Sequence, residues 1–158
     1  MTGVLPAAIA LSLVAVAAAS ITARPRRSPV DRLRVRAAAR ALAVTAGIQA
    51  VHFTEELATG FHEQLPGLFS LPPMPLGLFV GFNLGWLLIW SVSVAWIRTA
   101  HAVPLFAAWF LAIASCANGI AHPLLAVASG GYFPGLATSP FIGLAGWWLW
   151  RRLMQLAH

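Results

Sequence analysis

His52, Glu55 and Glu56 stand at i, i+3 and i+4 in the stretch Gln49-Ala50-Val51-His52-Phe53-Thr54-Glu55-Glu56, inside a run otherwise apolar enough to cross a bilayer. At that spacing an imidazole and two carboxylates share neighbouring turns of one helix, where they can grip a metal ion or exchange protons. On a soluble helix the pattern would be ordinary. In a membrane span each ionisable group costs roughly 2.5–3.5 kcal/mol near the centre, so three together call for a compensating role. At about 100° per residue, Thr45, Gln49, His52, Glu56 and Glu63 fall in one narrow arc with Glu55 on its flank. That stripe has to face protein or water.

A second polar pair, Asn118 and His122, stands at i and i+4 in a later apolar segment. Counted at about 1.5 Å per residue, His52 lies roughly 18 Å from the inner end of its span and Glu56 roughly 6 Å further out. Asn118 and His122 come at roughly 22 and 28 Å by the same count, so both groups share the outer half of the membrane. Ser115, Asn118, Ala121 and His122 share one side of their helix, interrupted by Leu111 and Leu125. Leu105, Trp109, Ile113, Ile120, Leu124 and Val127 fall opposite, where lipid contact is expected. The simplest arrangement turns the two polar groups toward each other.

Two imidazoles and one or two carboxylates are the ligand set of a catalytic zinc, leaving one position for water. His52, Glu56 and His122 are the candidate metal ligands, and Glu55, Glu56 and Asn118 the candidate catalytic groups. A bound divalent metal would lower the pKa of its water, with a spare glutamate to shuttle the proton. Zinc is favoured over iron. His101 and His158 lie at the wrong depth for a histidine-rich di-iron site, and a carboxylate-type one wants about four carboxylates with two histidines. Two other readings stay open. The same residues could act without metal as acid–base catalysts on a double bond or ring, or form a non-catalytic polar network lining an ion or transport path.

The elements that must position these groups are helical spans. The chain has 158 residues, 59% of them hydrophobic and 9% charged, with a mean hydropathy of +0.80. This points to one all-α polytopic membrane domain. Residues 4–22 form the first apolar run. A signal peptide competes for it, but no basic residue precedes the run and six arginines follow between Arg24 and Arg36, which favours a retained helix with its N-terminus outside. Residues 24–40 read as a basic cytoplasmic loop, a topogenic device and not a nucleic-acid site. Further spans are expected at 37–59, 76–97, 103–129 and 136–150, with Pro140 kinking the last. Five spans place all ten arginines inside and the C-terminus in the cytoplasm, as in a plasma (inner) membrane protein.

Smaller features fill in the picture. The segment 60–75 holds four prolines and reads as an outer loop or lid, with His62 and Glu63 solvated in it. Gly77, Gly81 and Gly85 form a small-residue ridge for close helix packing or oligomer formation. Asn83, Ser115, Thr138 and Ser139 are weaker site candidates. Trp86 and Trp90 read as packing or lipid-facing rings, and Trp147, Trp148 and Trp150 as an interfacial belt. The single cysteine, Cys116, rules out an intramolecular disulfide.

His52-Phe53-Thr54-Glu55-Glu56 and Asn118-Gly119-Ile120-Ala121-His122 resemble, in order, the His-x-x-Glu-Glu and Asn-x-x-x-His signatures of the HXXEE-domain family. The similarity covers residues 41–153 and leaves the first span, 1–23, outside it. It implies an integral membrane protein, an enzyme by expectation, with the motif residues as its active site. It implies no particular reaction. Membrane lipid and a hydrophobic small molecule are the expected partners, with hydrolysis the first choice of reaction.

Overall fold

Six helices make up the computed structural model, which describes residues 3–23, 31–97 and 101–157, and no strand occurs among them. They are α1 (Leu5–Thr22), α2 (Arg32–Ala58), α3 (Phe61–Gly67), α4 (Leu76–Trp96), α5 (Ala102–Ser129) and α6 (Ser139–Ala157). Three of them, α1, α4 and α5, are long and apolar enough to cross a membrane, against the five spans read from the sequence. The 27 residues of α2 would reach about 40 Å. Its arginines and glutamates, and in α6 Arg151, Arg152 and three tryptophans, dilute the apolar content of these two helices.

The basic loop is shorter than 24–40. The Asp31 side chain accepts the Leu33 N–H at 3.0 Å, and this N-cap starts α2 at Arg32, where alanine and arginine sustain the helix. Arg32, Arg34, Arg36 and Arg40 therefore ride on α2, and Arg34 donates to the Gln155 carbonyl at the end of α6 (3.0 Å). Residues 24–30 and Arg98, which carry part of the expected charge sorting, lie outside the described residues.

At its other end α2 stops at Gly60, whose left-handed φ of 79° turns the chain into α3. Glu63 belongs to α3 and does not extend the stripe of α2. The segment 60–75 thus contains a helical turn pinned by the Met74 N–H on the His62 carbonyl (2.8 Å). Gly130, at φ 74°, ends α5 with its N–H on Val127 O (3.2 Å), while Gly131 reaches Ala126 O (3.1 Å). Pro140 sits in the first turn of α6, where its missing N–H costs nothing, so it starts that helix and does not kink it.

Helix α5 is the hub, packed by α6, α1 and α4, while α2 lies against α6 and α4 and meets α5 only briefly. Hence Leu105 and Trp109, expected in lipid, are buried, whereas Ile120, Leu124 and Val127 are exposed as expected. The core between the helices is rich in alanine and leucine, including Ala38, Leu42, Ala108, Leu111, Leu149 and Leu153. Trp86 stacks on Phe110 with ring centroids 4.2 Å apart, and Trp90 donates to the Ala107 carbonyl at 3.0 Å, tying α4 to α5.

The close-packing glycines are not those on α4. A Cβ on Gly77, Gly81 or Gly85 would meet nothing within 4 Å. A Cβ on Gly119 would come 2.7 Å from the Gly143 Cα, and one on Gly146 would come 2.5 Å from the Ser115 Cβ. So α5 and α6 are pressed backbone to backbone along Ser115, Gly119, Gly143 and Gly146.

Candidate metal centre

Three side chains from α2 and α5 converge where these helices meet. His52 is 0% exposed, Glu56 5% and His122 2%. The imidazoles stand nearly perpendicular, at 86° with centroids 4.7 Å apart. Their Nε2 atoms are 3.2 Å apart, and Glu56 Oε1 is 3.6 Å from His52 Nε2 and 3.5 Å from that of His122. A point equidistant from three atoms so spaced lies about 2.0 Å from each, the length of a zinc–nitrogen or zinc–oxygen bond. Of the expected stripe, Thr45, Gln49, His52 and Glu56 are buried on α2, while Glu63 is exposed on α3.

Hydrogen bonds on the far side of each ring settle where its proton sits. The Thr138 hydroxyl has one hydrogen and donates it to Glu55 Oε2 (2.5 Å). It must therefore accept from His52, whose Nδ1–H lies 2.6 Å away. His122 Nδ1–H likewise donates to the Pro134 carbonyl, which can only accept (2.6 Å). In each neutral ring the one N–H is thus committed outward. The two Nε2 lone pairs and a carboxylate oxygen are left facing one another, an arrangement that a metal ion or a shared proton between them would relieve. The nearest donor is the Asn118 amide, whose Nδ2 is a long 3.4 Å from His52 Nε2.

Glu55 stands on the flank of the stripe, as its spacing implies. Its carboxylate turns to the segment joining α5 and α6. There it accepts from the Tyr132 hydroxyl, the Ala137 N–H (2.9 Å), the Thr138 N–H (2.8 Å) and the Thr138 hydroxyl. Partial burial and the adjacent Glu55 carboxylate push the Tyr132 phenol up to about 12, so it remains a donor. Gly135 closes the same segment over the rings. A Cβ there would lie 2.5 Å from His122 Cε1 and 2.9 Å from His52 Cε1, and its φ of 87° suits glycine alone.

Of the weaker candidates, Thr138 proves central, although neither its type nor its spacing marks it. Asn83 bonds back to the Phe79 carbonyl of its own helix (2.9 Å) and stays out of the site. Ser115 does not bond back as a helical serine usually does; its buried hydroxyl has no partner and lies against Gly146. His62 is half-buried, stacked on Phe79 with centroids 6.0 Å apart, and Glu63 is exposed. Phe61 and Phe133 wall the centre, their rings 5.7 and 6.2 Å from that of His122.

No protein-family model matches the chain, and no curated protein or solved structure does either.

Proposed function

We propose that this chain is an integral membrane enzyme that holds one divalent metal, zinc ahead of iron, on His52, Glu56 and His122. The observation that carries the reading is the opposition of two Nε2 lone pairs at 3.2 Å with Glu56 Oε1 completing the triangle. When bound, the metal supplies a Lewis acid for a water or a substrate oxygen. Asn118 sits beside the cluster, its amide 3.4 Å from His52 Nε2, and would orient a substrate oxygen there. Glu56, one oxygen of which faces both rings, is placed to exchange a proton with the reacting group.

Phe61 and Phe133 shut the centre from water and favour a lipid or similar hydrophobic substrate, and hydrolysis is the reaction best suited to this ligand set. In this reading α2 and α6 also span, shielded by their neighbours, giving five spans with the N-terminus outside and the arginine-bearing ends in the cytoplasm. The location is then the plasma (inner) membrane. The motifs would place the chain with the HXXEE-domain membrane proteins. The open glycine ridge of α4 is available to another copy.

Elemental analysis of the purified protein tests the reading. One bound zinc or iron per chain is expected, lost in His52→Ala and in His122→Ala. A metal-free wild type purified without chelator, and unable to take up zinc, would refute it. A second reading, acid–base catalysis without metal, draws on the same opposition of lone pairs, since a proton could lie between the rings. It predicts that Glu56→Gln and His122→Ala abolish turnover while added chelator does not.

A further inference from the structure

The hydrogen-bonded chain from Glu55 through Thr138 to His52 crosses from α2 to the start of α6 and back. Each link has a fixed direction: the Thr138 hydroxyl donates to Glu55 Oε2 at 2.5 Å and accepts from His52 Nδ1–H at 2.6 Å. The other histidine has only the Pro134 carbonyl behind it, at 2.6 Å. A carboxylate behind one imidazole, relayed by a hydroxyl, makes that ring the better electron donor of the two. The relay is also held from outside, because Tyr132 and the N–H groups of residues 137 and 138 keep Glu55 in place.

We infer that Glu55 and Thr138 are positioning residues: they lock His52 as the Nδ1–H tautomer and so present its Nε2 to the ion held with Glu56 and His122. This rests on the metal reading above. It assigns Glu55 a part that its place in the His-x-x-Glu-Glu stretch does not disclose. Its negative charge also balances the ion. A divalent cation with Glu56 and Glu55 within the same few residues makes a site of no net charge, the form least penalised in a low-dielectric interior. Outer partners of this kind are worth about 10- to 100-fold in metal affinity.

The experiment is a cobalt(II) titration of the purified full chain in detergent, read by visible absorption, for the wild type, Thr138→Val and Thr138→Ser. The expected result is 10- to 100-fold weaker binding in Thr138→Val, with one equivalent still bound, and affinity restored within about threefold in Thr138→Ser. A purely structural role for Thr138 would lower the melting temperature and leave the affinity of folded protein alone. If Thr138→Val does not fold, nitrogen-15 spectra of the histidine rings in Thr138→Ala and wild type take its place. Loss of the Nδ1–H form of His52 supports the relay, and its retention overturns it. Unchanged cobalt affinity in Thr138→Val, or an equal loss in Thr138→Ser, also overturns the relay while leaving the metal reading intact. Failure of the wild type to bind cobalt removes the metal reading itself.

Discussion

His52 and His122 point their Nε2 atoms at each other across 3.2 Å while each commits its N–H to an acceptor on the opposite side of the ring. Two acceptors at that distance repel unless something positive lies between them. Burial of both rings removes water as the remedy.

Gly135→Ala should destroy the centre. The added methyl would sit 2.5 Å from His122 Cε1, at a backbone φ of 87°. A loss of at least about 2 kcal/mol in stability is expected, together with loss of bound metal. Gly81→Ala is the comparison: it has open space around it and should be within about 0.5 kcal/mol of wild type, or slightly more stable. Thermal melts and metal content measure both. If Gly81→Ala instead changes the oligomeric state on size exclusion, the ridge of α4 is an interface.

The contact of α5 with α6 predicts a second sensitive position. Gly143→Ala sets a methyl 3.0 Å from the Gly119 Cα, backbone against backbone, with no flexible side chain to give way. A destabilisation of about 1–3 kcal/mol is expected. Because Asn118 and His122 flank Gly119 on α5, weaker metal binding should accompany it. Melting unchanged from wild type would show that the helices are not this close.

Tyr132 gives a pH dependence whose sign can be worked out. Its phenol rises from 10 to about 12 on folding, so the fold favours the protonated form. The contribution is fully present below about pH 10 and lost as pH climbs through about 12. Half the side chain is exposed, so screening holds the effect below about 1 kcal/mol. Tyr132→Phe should therefore cost no more than that at pH 8, and the gap to wild type should close by pH 12. A gap that widens with pH would contradict the hydrogen bond to Glu55.

Topology is testable with reporters. A five-span chain puts its ends on opposite sides, so a fusion before Gly3 and one after Ala157 should report opposite faces, with the arginine-bearing ends of α2 and α6 inside. Both ends on one side would mean an even number of spans, and α2 or α6 would then lie along the surface.

Much of the centre was legible because it depends on helix geometry. The spacing of His52 and Glu56, and of Asn118 and His122, sets each pair on one face, and counting the rise along the helices sets their depths. The loop was another matter. Thr138, Pro134, Gly135 and Tyr132 reach the rings through tertiary contacts that no periodicity encodes. Thr138 therefore looked like any threonine, and the partners of Glu55 across the loop were not visible. The glycines failed for a related reason. Gly77, Gly81 and Gly85 have regular spacing and no neighbour, whereas Gly119, Gly143 and Gly146 have neighbours on another helix that only the fold reveals. In α5, a lipid-facing side was expected for Leu105 and Trp109, but a helix packed by three others has none at that level.

X-ray absorption at the zinc edge of the loaded wild-type protein asks most directly whether the opposed rings are ligands. Two imidazole nitrogens and one carboxylate oxygen at about 2.0–2.2 Å, with the multiple-scattering pattern of histidine, are the predicted first shell. A shell of oxygens alone, unchanged in His52→Ala and His122→Ala, would mean that the metal binds elsewhere and that the central claim is wrong.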